Sequence, residues 1–168
     1  MRVAMAMEAS LTEHSWVYTG EQSSEAEYSE IDIVENTNAA TANSHSFYTG
    51  AQCTIKVNKG ESTRGNDCHH VSGEVDGCSF AAEEGTFGAA FNDNGYRVVA
   101  MQLEADGIKI WHFKDGDIPS DIASGNPDPS QWENPTVDIS PDNCDISKAF
   151  SRFKLVGHIL LFMQLLEV

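Results

Sequence analysis

The chain has 168 residues, 40% of them hydrophobic, which is enough for one globular domain with its own core. Against 10 basic residues it has 26 acidic ones, so its formal net charge is −16. A surface this acidic repels phosphate groups, which argues against nucleic acid and anionic membranes as partners. A neutral ligand, such as an uncharged polysaccharide, meets no such repulsion.

Neither end of the chain has the pattern of a targeting or membrane segment. The apolar stretch from Val3 to Met7 ends at Glu8 and is too short for the hydrophobic region of a signal peptide. Residues 153–168 are apolar but interrupted by polar side chains, and a spanning helix needs about 20 mostly apolar residues. We expect residues 1–28 to be irregular, and the composition of residues 146–168 favours a C-terminal helix.

The middle of the chain alternates between short β-like runs and turn-rich segments. Alternating β-branched and aromatic residues predict strands at 29–34, 45–48, 53–57, 96–104 and 107–113. Between the last two runs, Asp106-Gly107 is a strong signal for a β-hairpin. Segment 114–143 is rich in Pro, Asp, Ser and Gly and predicts a long ordered loop over a sheet surface. The sequence therefore predicts an all-β fold.

Four cysteines, Cys53, Cys68, Cys78 and Cys144, are compatible with two disulfides. The sequence leaves all three pairings open, and four buried thiols are the alternative. No CxxC pair occurs, and a site at Cys68-His69-His70 is disfavoured because adjacent strand residues point in opposite directions. We expect neither a metal nor a cofactor.

Three acidic residues, Glu30, Asp32 and Glu35, form the most informative cluster in the sequence. On a strand, Glu30 and Asp32 share one face, while Ile31 and Ile33 face the core. Glu35 has the wrong parity, but one β-bulge near Ile33 and Val34 would return it to the face of the other two acids. The strand would then hold three carboxyl groups side by side.

Two interpretations of this cluster compete. An acidic, solvent-facing strand is the simpler one in a chain with this charge. The other is catalytic, because retaining glycosidases use two carboxyl groups about 5–5.5 Å apart, one as nucleophile and one as acid/base. In that case the middle acid would hold a proton or a hydrogen bond between its neighbours, as in other sites with closely spaced carboxyl groups.

The pattern Glu-x-Asp-x-x-Glu at residues 30–35 resembles the signature of glycoside hydrolase family 16, in particular the fungal-type endo-1,3(4)-β-glucanases. Supporting stretches follow in the family's order, namely NSHSFYTGAQCTI at 43–55, GTFGAAFNDNGYRVVAMQLEADGIKIWHF at 85–113, GDIPSDIASGNPDPSQW at 116–132, and Cys144-Asp145-Ile146. The resemblance covers residues 29–150 and leaves 1–28 and 151–168 unmatched. It implies a concanavalin A-like β-jelly-roll sandwich, incomplete at both ends.

By this resemblance, Glu30 would be the nucleophile, Glu35 the acid/base and Asp32 the supporting acid. Tyr48 and Trp111 are the candidate sugar-binding residues, and Tyr48 stands where the family commonly has a His. The implied activity is retaining hydrolysis of β-1,3 or mixed β-1,3/1,4 glucan by an extracellular monomer. The alternative is a truncated, inactive remnant that binds glucan weakly at best.

Overall fold

A computed structural model describes residues 28–37, 39–71, 74 and 76–150, together with the backbone strands 3–8, 17–21, 155–157 and 162–167. This part of the chain folds into two antiparallel six-stranded sheets. In the first sheet the order of the strands, given by residue number, is 162–167, 3–8, 96–104, 107–114, 137–141 and 55–59, and in the second it is 155–157, 17–21, 29–35, 42–49, 78–84 and 61–62. We call them the supporting sheet and the carboxylate sheet. The predicted all-β sandwich is confirmed.

The strands follow one another along the chain with few helices between them. They are β1 Val3–Glu8, β2 Val17–Glu21, β3 Ser29–Glu35, β4 Ala42–Thr49, β5 Ile55–Lys59, β6 Glu61–Ser62, β7 Cys78–Glu84, β8 Tyr96–Glu104, β9 Gly107–Lys114, β10 Val137–Pro141, β11 Leu155–Gly157 and β12 Phe162–Glu167. Short helices lie at α1 Gly88–Asp93, α2 Ser120–Ser124 and α3 Ile146–Ala149, with a 3₁₀ turn at Pro129–Gln131. Strands β8 and β9 form the predicted hairpin, in which Glu104 pairs with Gly107.

The two ends of the chain differ from the sequence-based expectation. The C-terminal helix was a wrong prediction, because α3 has four residues and is followed by β11 and β12. The N-terminal segment contributes β1, which lies between β8 and β12, and β2, which lies between β3 and β11. Apolar runs of mixed spacing do not distinguish helix from strand, and sheet partners distant in sequence decide between them. Residues 1–2, 9–16, 22–27, 151–154, 158–161 and 168 lie outside the described residues.

The main core lies between the two sheets. Ile31, Ile33 and Phe47 of the carboxylate sheet are fully buried and join the same cluster as Met101 and Ile110 of the supporting sheet. A second, smaller cluster covers the outer face of the supporting sheet, where the loop after β9 brings in Ile122 and Trp132. The first part of the predicted loop at 114–143 is therefore packed against a sheet, but the prediction was wrong for its end, because Val137–Pro141 forms β10 between β9 and β5.

Two disulfides join Cys53 to Cys144 and Cys68 to Cys78, which is one of the three pairings left open by the sequence. The first closes a loop across 91 residues, and the second closes a short loop across 10. The short loop carries His70, Asp76 and Gly77 beside the acidic strand. In the described part of the chain, no helix is long and apolar enough to cross a membrane.

Candidate active site

A β-bulge in β3 brings the three acids to one face. Opposite β4, Asp32 pairs with Ser46 and Glu35 pairs with Ser44, so three steps along β3 match two along β4. Ile33 and Val34 are both fully buried, and the parity changes between them. The Ser46 hydroxyl, on the strand position opposite Asp32, donates a hydrogen bond to Oε2 of Glu35 at 3.1 Å. The predicted bulge is therefore confirmed.

Asp32 is the most perturbed acid of the cluster. Its side chain is buried, and its pKa is raised from 3.8 to about 9. Burial is the largest cause of this shift, and the negative charges of Glu35 and Glu30 come next. A hydrogen bond with Glu30 adds to this effect, and the positive charge of Arg64 opposes it. Asp32 is thus protonated at neutral pH, and its proton serves the hydrogen bond to Glu30.

Glu30 also accepts a hydrogen bond from a residue that precedes it in the sequence. The hydroxyl of Tyr28 donates a hydrogen bond to Oε2 of Glu30. The Tyr28 ring packs against the His70 ring with 4.7 Å between centroids, and His70 in turn pairs with the carboxylate of Asp76 at 2.7 Å. Glu30 therefore has a donor on each side, one from Tyr28 and one from Asp32.

Tyr48, which the sequence suggests as a sugar-binding residue, lies directly opposite Glu30 on β4. Its hydroxyl accepts a hydrogen bond from Nη1 of Arg64 at 3.0 Å, and the same nitrogen donates to the backbone carbonyl of Asp76 at 2.7 Å. Its ring lies against Gly77, where an added Cβ atom would approach within 2.4 Å of Cδ1. These contacts fix the Tyr48 side chain next to the carboxylates.

The position of Trp111 corrects its assignment as a sugar-binding residue. Trp111 is 1% exposed and packs edge-on against Trp132, with 5.1 Å between the ring centroids. Because its neighbour Ile110 faces the core between the sheets, Trp111 lies on the outer face of the supporting sheet. The full thickness of the sandwich separates it from Glu30, so it does not belong to the same site.

Several residues of the site were missed by sequence analysis. Tyr28 is two positions before Glu30, so on a strand its side chain would point to the same face. This spacing could have predicted that Tyr28 lies beside Glu30. The His70–Asp76 pair lies in the loop closed by the Cys68–Cys78 disulfide, and Arg64 lies in the segment before that loop. No spacing rule predicts that these residues approach the acidic strand. Among the described residues, no group of three His, Cys, Asp or Glu side chains is arranged to hold a metal ion.

The comparison with protein families adds to this geometry. Residues 11–162 match the family described as XgeA-like, catalytic GH16 domain, which extends beyond residues 29–150 at both ends. The chain belongs to glycoside hydrolase family 16. The resemblance inferred from the motifs is therefore confirmed.

Curated relatives of this family-16 chain carry related names. It is 36% identical over 133 residues to a probable glycosidase of Schizosaccharomyces pombe, a match that covers 76% of the chain and 32% of the relative. It is 31% identical over 130 residues to the endo-1,3(4)-beta-glucanase xgeA of Emericella nidulans, covering 76% of the chain and 20% of the relative. The matches thus span a third or less of these two relatives.

Solved structures of family 16 share the fold. An elongating beta-1,3-glucosyltransferase of the family superposes with a TM-score of 0.79 at 27% identity, covering 98% of this chain and 56% of the other. Laminarinase 16A of Phanerochaete chrysosporium, solved with beta-glucans in donor and acceptor sites, has a TM-score of 0.78 at 24% identity, with coverages of 98% and 58%. The jelly-roll sandwich is therefore the fold of this chain.

Proposed function

We propose that this chain hydrolyses internal β-1,3 or mixed β-1,3/1,4 linkages of glucans by a retaining, double-displacement mechanism. The observation that carries the proposal is the bulge in β3, which brings Glu30, Asp32 and Glu35 to one face, with Asp32, whose pKa is raised to about 9, between the two glutamates. Two outer carboxyl groups with separate tasks are what a retaining glycosidase requires.

In the first step, a carboxylate oxygen of Glu30 attacks the anomeric carbon while Glu35 gives its proton to the glycosidic oxygen. The carbon–oxygen bond to the leaving sugar breaks, and a glycosyl ester on Glu30 forms. In the second step, Glu35 takes a proton from water, and the water oxygen attacks the anomeric carbon and releases Glu30. Asp32 keeps its proton throughout and donates to Glu30, so it prevents three adjacent negative charges.

A second candidate reaction uses the same ester. The structure with a TM-score of 0.79 is a beta-1,3-glucosyltransferase that elongates its substrate, and it is 27% identical to this chain. If a sugar hydroxyl replaces water in the second step, the product is a longer glucan instead of a new reducing end. Glu35 would take the proton from that hydroxyl in the same way.

The proposed setting is extracellular, and the proposed partner is a neutral glucan bound by a monomer. Two disulfides support the setting because such bonds persist in oxidising compartments. The net charge of −16 supports an uncharged polysaccharide and opposes nucleic acid.

The test is incubation of the purified protein with laminarin and with lichenan, followed by assay of new reducing ends and chromatography of chain lengths. Glu30→Gln should abolish both activities, while Glu61→Gln, which removes an exposed acid from β6 of the same sheet, should leave them intact. New reducing ends indicate hydrolysis, and products longer than the substrate indicate transfer. Equal product from wild type and Glu30→Gln contradicts the proposal. No product from either also contradicts it and leaves the inactive glucan-binding alternative.

A further inference from the structure

The amide of Asn43 bridges the bulge of β3 from behind. Asn43 lies on β4 and is 1% exposed. Its Oδ1 accepts a hydrogen bond from the backbone N–H of Glu35 at 2.9 Å, and its Nδ2 donates to the backbone carbonyl of Ile33 at 3.0 Å. These two backbone groups flank Val34, where the pairing between β3 and β4 loses its register. One side chain therefore replaces the ladder hydrogen bonds that the bulge interrupts.

The Asn43 amide is oriented by a residue of the other sheet. Its Nδ2 also lies 3.2 Å from Nε2 of His112, which is on β9. Because an amide nitrogen is only a donor, Nε2 must be the acceptor and the ring proton must be on Nδ1. Nδ1 lies 3.0 Å from the hydroxyl of Thr136, to which it donates. The Asn43 donor therefore selects a single neutral tautomer, and the Thr136 hydroxyl can accept the hydrogen bond that this tautomer donates.

The environment of His112 supports this protonation state. Burial, together with the nearby His45 ring, holds the pKa of His112 well below its ordinary value of 6.5. A proton on Nε2 would also make that nitrogen a donor. It would then face the Nδ2 donor of Asn43, and the hydrogen bond between them would be lost. At neutral pH the acceptor is thus present, and both hydrogens of the Asn43 amide are used.

Such a polar group in the core calls for an explanation. A buried amide is costly unless all its partners are present, and an apolar side chain would fill the same space without that requirement. Here the partners are the two backbone groups that set the position of Glu35. The backbone N–H of Asn43 is itself fixed, since it donates to the Thr86 hydroxyl at 2.9 Å.

We propose that Asn43, oriented by His112, is a positioning residue that aims Glu35 at the glycosidic oxygen. This inference rests on the proposed function, in which Glu35 is the acid/base. Asn43 contacts no substrate and acts through the backbone of Glu35. Its loss should therefore impair the proton transfer that Glu35 performs and leave the attack by Glu30 largely intact.

Two substrates separate these effects. Cleavage of laminarin needs a proton on the leaving oxygen, whereas 2,4-dinitrophenyl β-laminaribioside releases a phenolate that leaves without one. For Asn43→Ala, kcat/KM on laminarin should fall by roughly 100-fold, as displacements of about 1 Å can cause. The fall on the dinitrophenyl substrate should be at least about tenfold smaller, since only the sugar leaving group depends on acid catalysis. Equal falls on both substrates contradict the proposal.

A second pair of variants guards against a general loss of folding. His112→Gln keeps an acceptor where Nε2 stands, whereas His112→Leu removes it. We expect the difference between the two substrates to appear in His112→Leu and to be largely absent in His112→Gln. Asn143→Ala is the matched control, because Asn143 also holds a backbone N–H, that of Thr54 at 2.7 Å, beside the supporting sheet. It should alter both substrates equally or neither.

Failure of the proposed function has a different signature. If wild type cleaves neither substrate, the function fails and the role of Asn43 is tested on the protein itself by amide hydrogen exchange. Exchange at the Glu35 N–H should then accelerate in Asn43→Ala more than in Asn143→Ala. Unchanged protection of that amide overturns the bridging role of Asn43.

Discussion

At the scale of single residues, the site depends on protonation states set by burial. Asp32 keeps a proton because its carboxyl group is buried beside two other acids. Across the core, burial lowers the pKa of His45 to about 4 and that of His112 well below 6.5, so both rings are neutral. The Asp32 carboxyl and the imidazoles are thus all uncharged near neutral pH, which suits a low-dielectric interior.

These groups give the stability of the protein a predictable dependence on pH. The folded pKa of Asp32 is raised, so its contribution is complete below about pH 4 and is lost as the pH rises toward 9. The folded pKa values of the two histidines are lowered, so their contributions are complete above 6.5 and are lost as the pH falls toward 4. Their sum predicts greatest stability near pH 6.5.

We expect Asp32→Asn to remove the decline on the alkaline side. Between pH 6.5 and 9 the wild-type free energy of unfolding should fall by up to about 1.4 kcal/mol per pH unit, while that of the variant should stay nearly level. Urea titrations across this range measure both. Asp106→Asn, in the exposed β8–β9 turn, is the control and should follow wild type. Parallel curves for Asp32→Asn and wild type would show that Asp32 ionises normally.

At this scale the sequence was sufficient where the alternation of side chains along a strand determines which residues share a face. The alternation in Glu30 to Glu35, together with its one break, was enough to predict the bulge and the shared face. It failed for Trp111, because β9 is apolar on both faces and the loop that covers the outer face is distant in sequence. No local pattern shows that His112 faces Asn43 across the sandwich.

At the scale of elements, the loop closed by Cys68 and Cys78 forms one wall beside Glu30. It carries the His70–Asp76 pair that supports Tyr28, and Gly77 provides the space in which the Tyr48 ring lies. Gly77 has a φ of +81°, a conformation that favours glycine, and any side chain there would also meet Tyr48. The wall therefore depends on glycine for two separate reasons.

A pair of glycine variants separates those reasons. Gly65 has a φ of +82° but no atom within 4 Å of an added Cβ, so Gly65→Ala carries the backbone penalty alone. We expect both variants to lose about 1 kcal/mol or more of stability. Only Gly77→Ala should also displace Tyr48 and raise KM for laminarin, as initial-rate kinetics would show. An equal KM in the two variants would contradict the prediction that Tyr48 contacts the substrate.

At the scale of the whole molecule, the described strands form both layers of the family fold, while the chain spans a little over half of the solved structures it matches. Strands β7 and β10 were not predicted, and β10 lies within the expected loop, but β3, β4, β5, β8 and β9 were predictable because each has an alternating pattern of its own. Strands β1, β2, β11 and β12 were not, since their identity depends on partners at the opposite end of the chain. The net charge of −16 repels anionic ligands but not a neutral one, such as the proposed glucan.

The central claim is that Glu30 forms a covalent bond to the substrate, and trapping of that bond tests it most directly. In a 2-deoxy-2-fluoro laminaribiosyl fluoride, the 2-fluoro group slows both steps of a retaining mechanism while the good fluoride leaving group keeps the first step fast, so the ester accumulates. Intact-mass and peptide mass spectrometry should find one fluorosugar per chain, attached to Glu30 and absent from Glu30→Gln. A label on Glu35 or on another carboxyl group, or no label in a protein that still cleaves laminarin, would contradict the account.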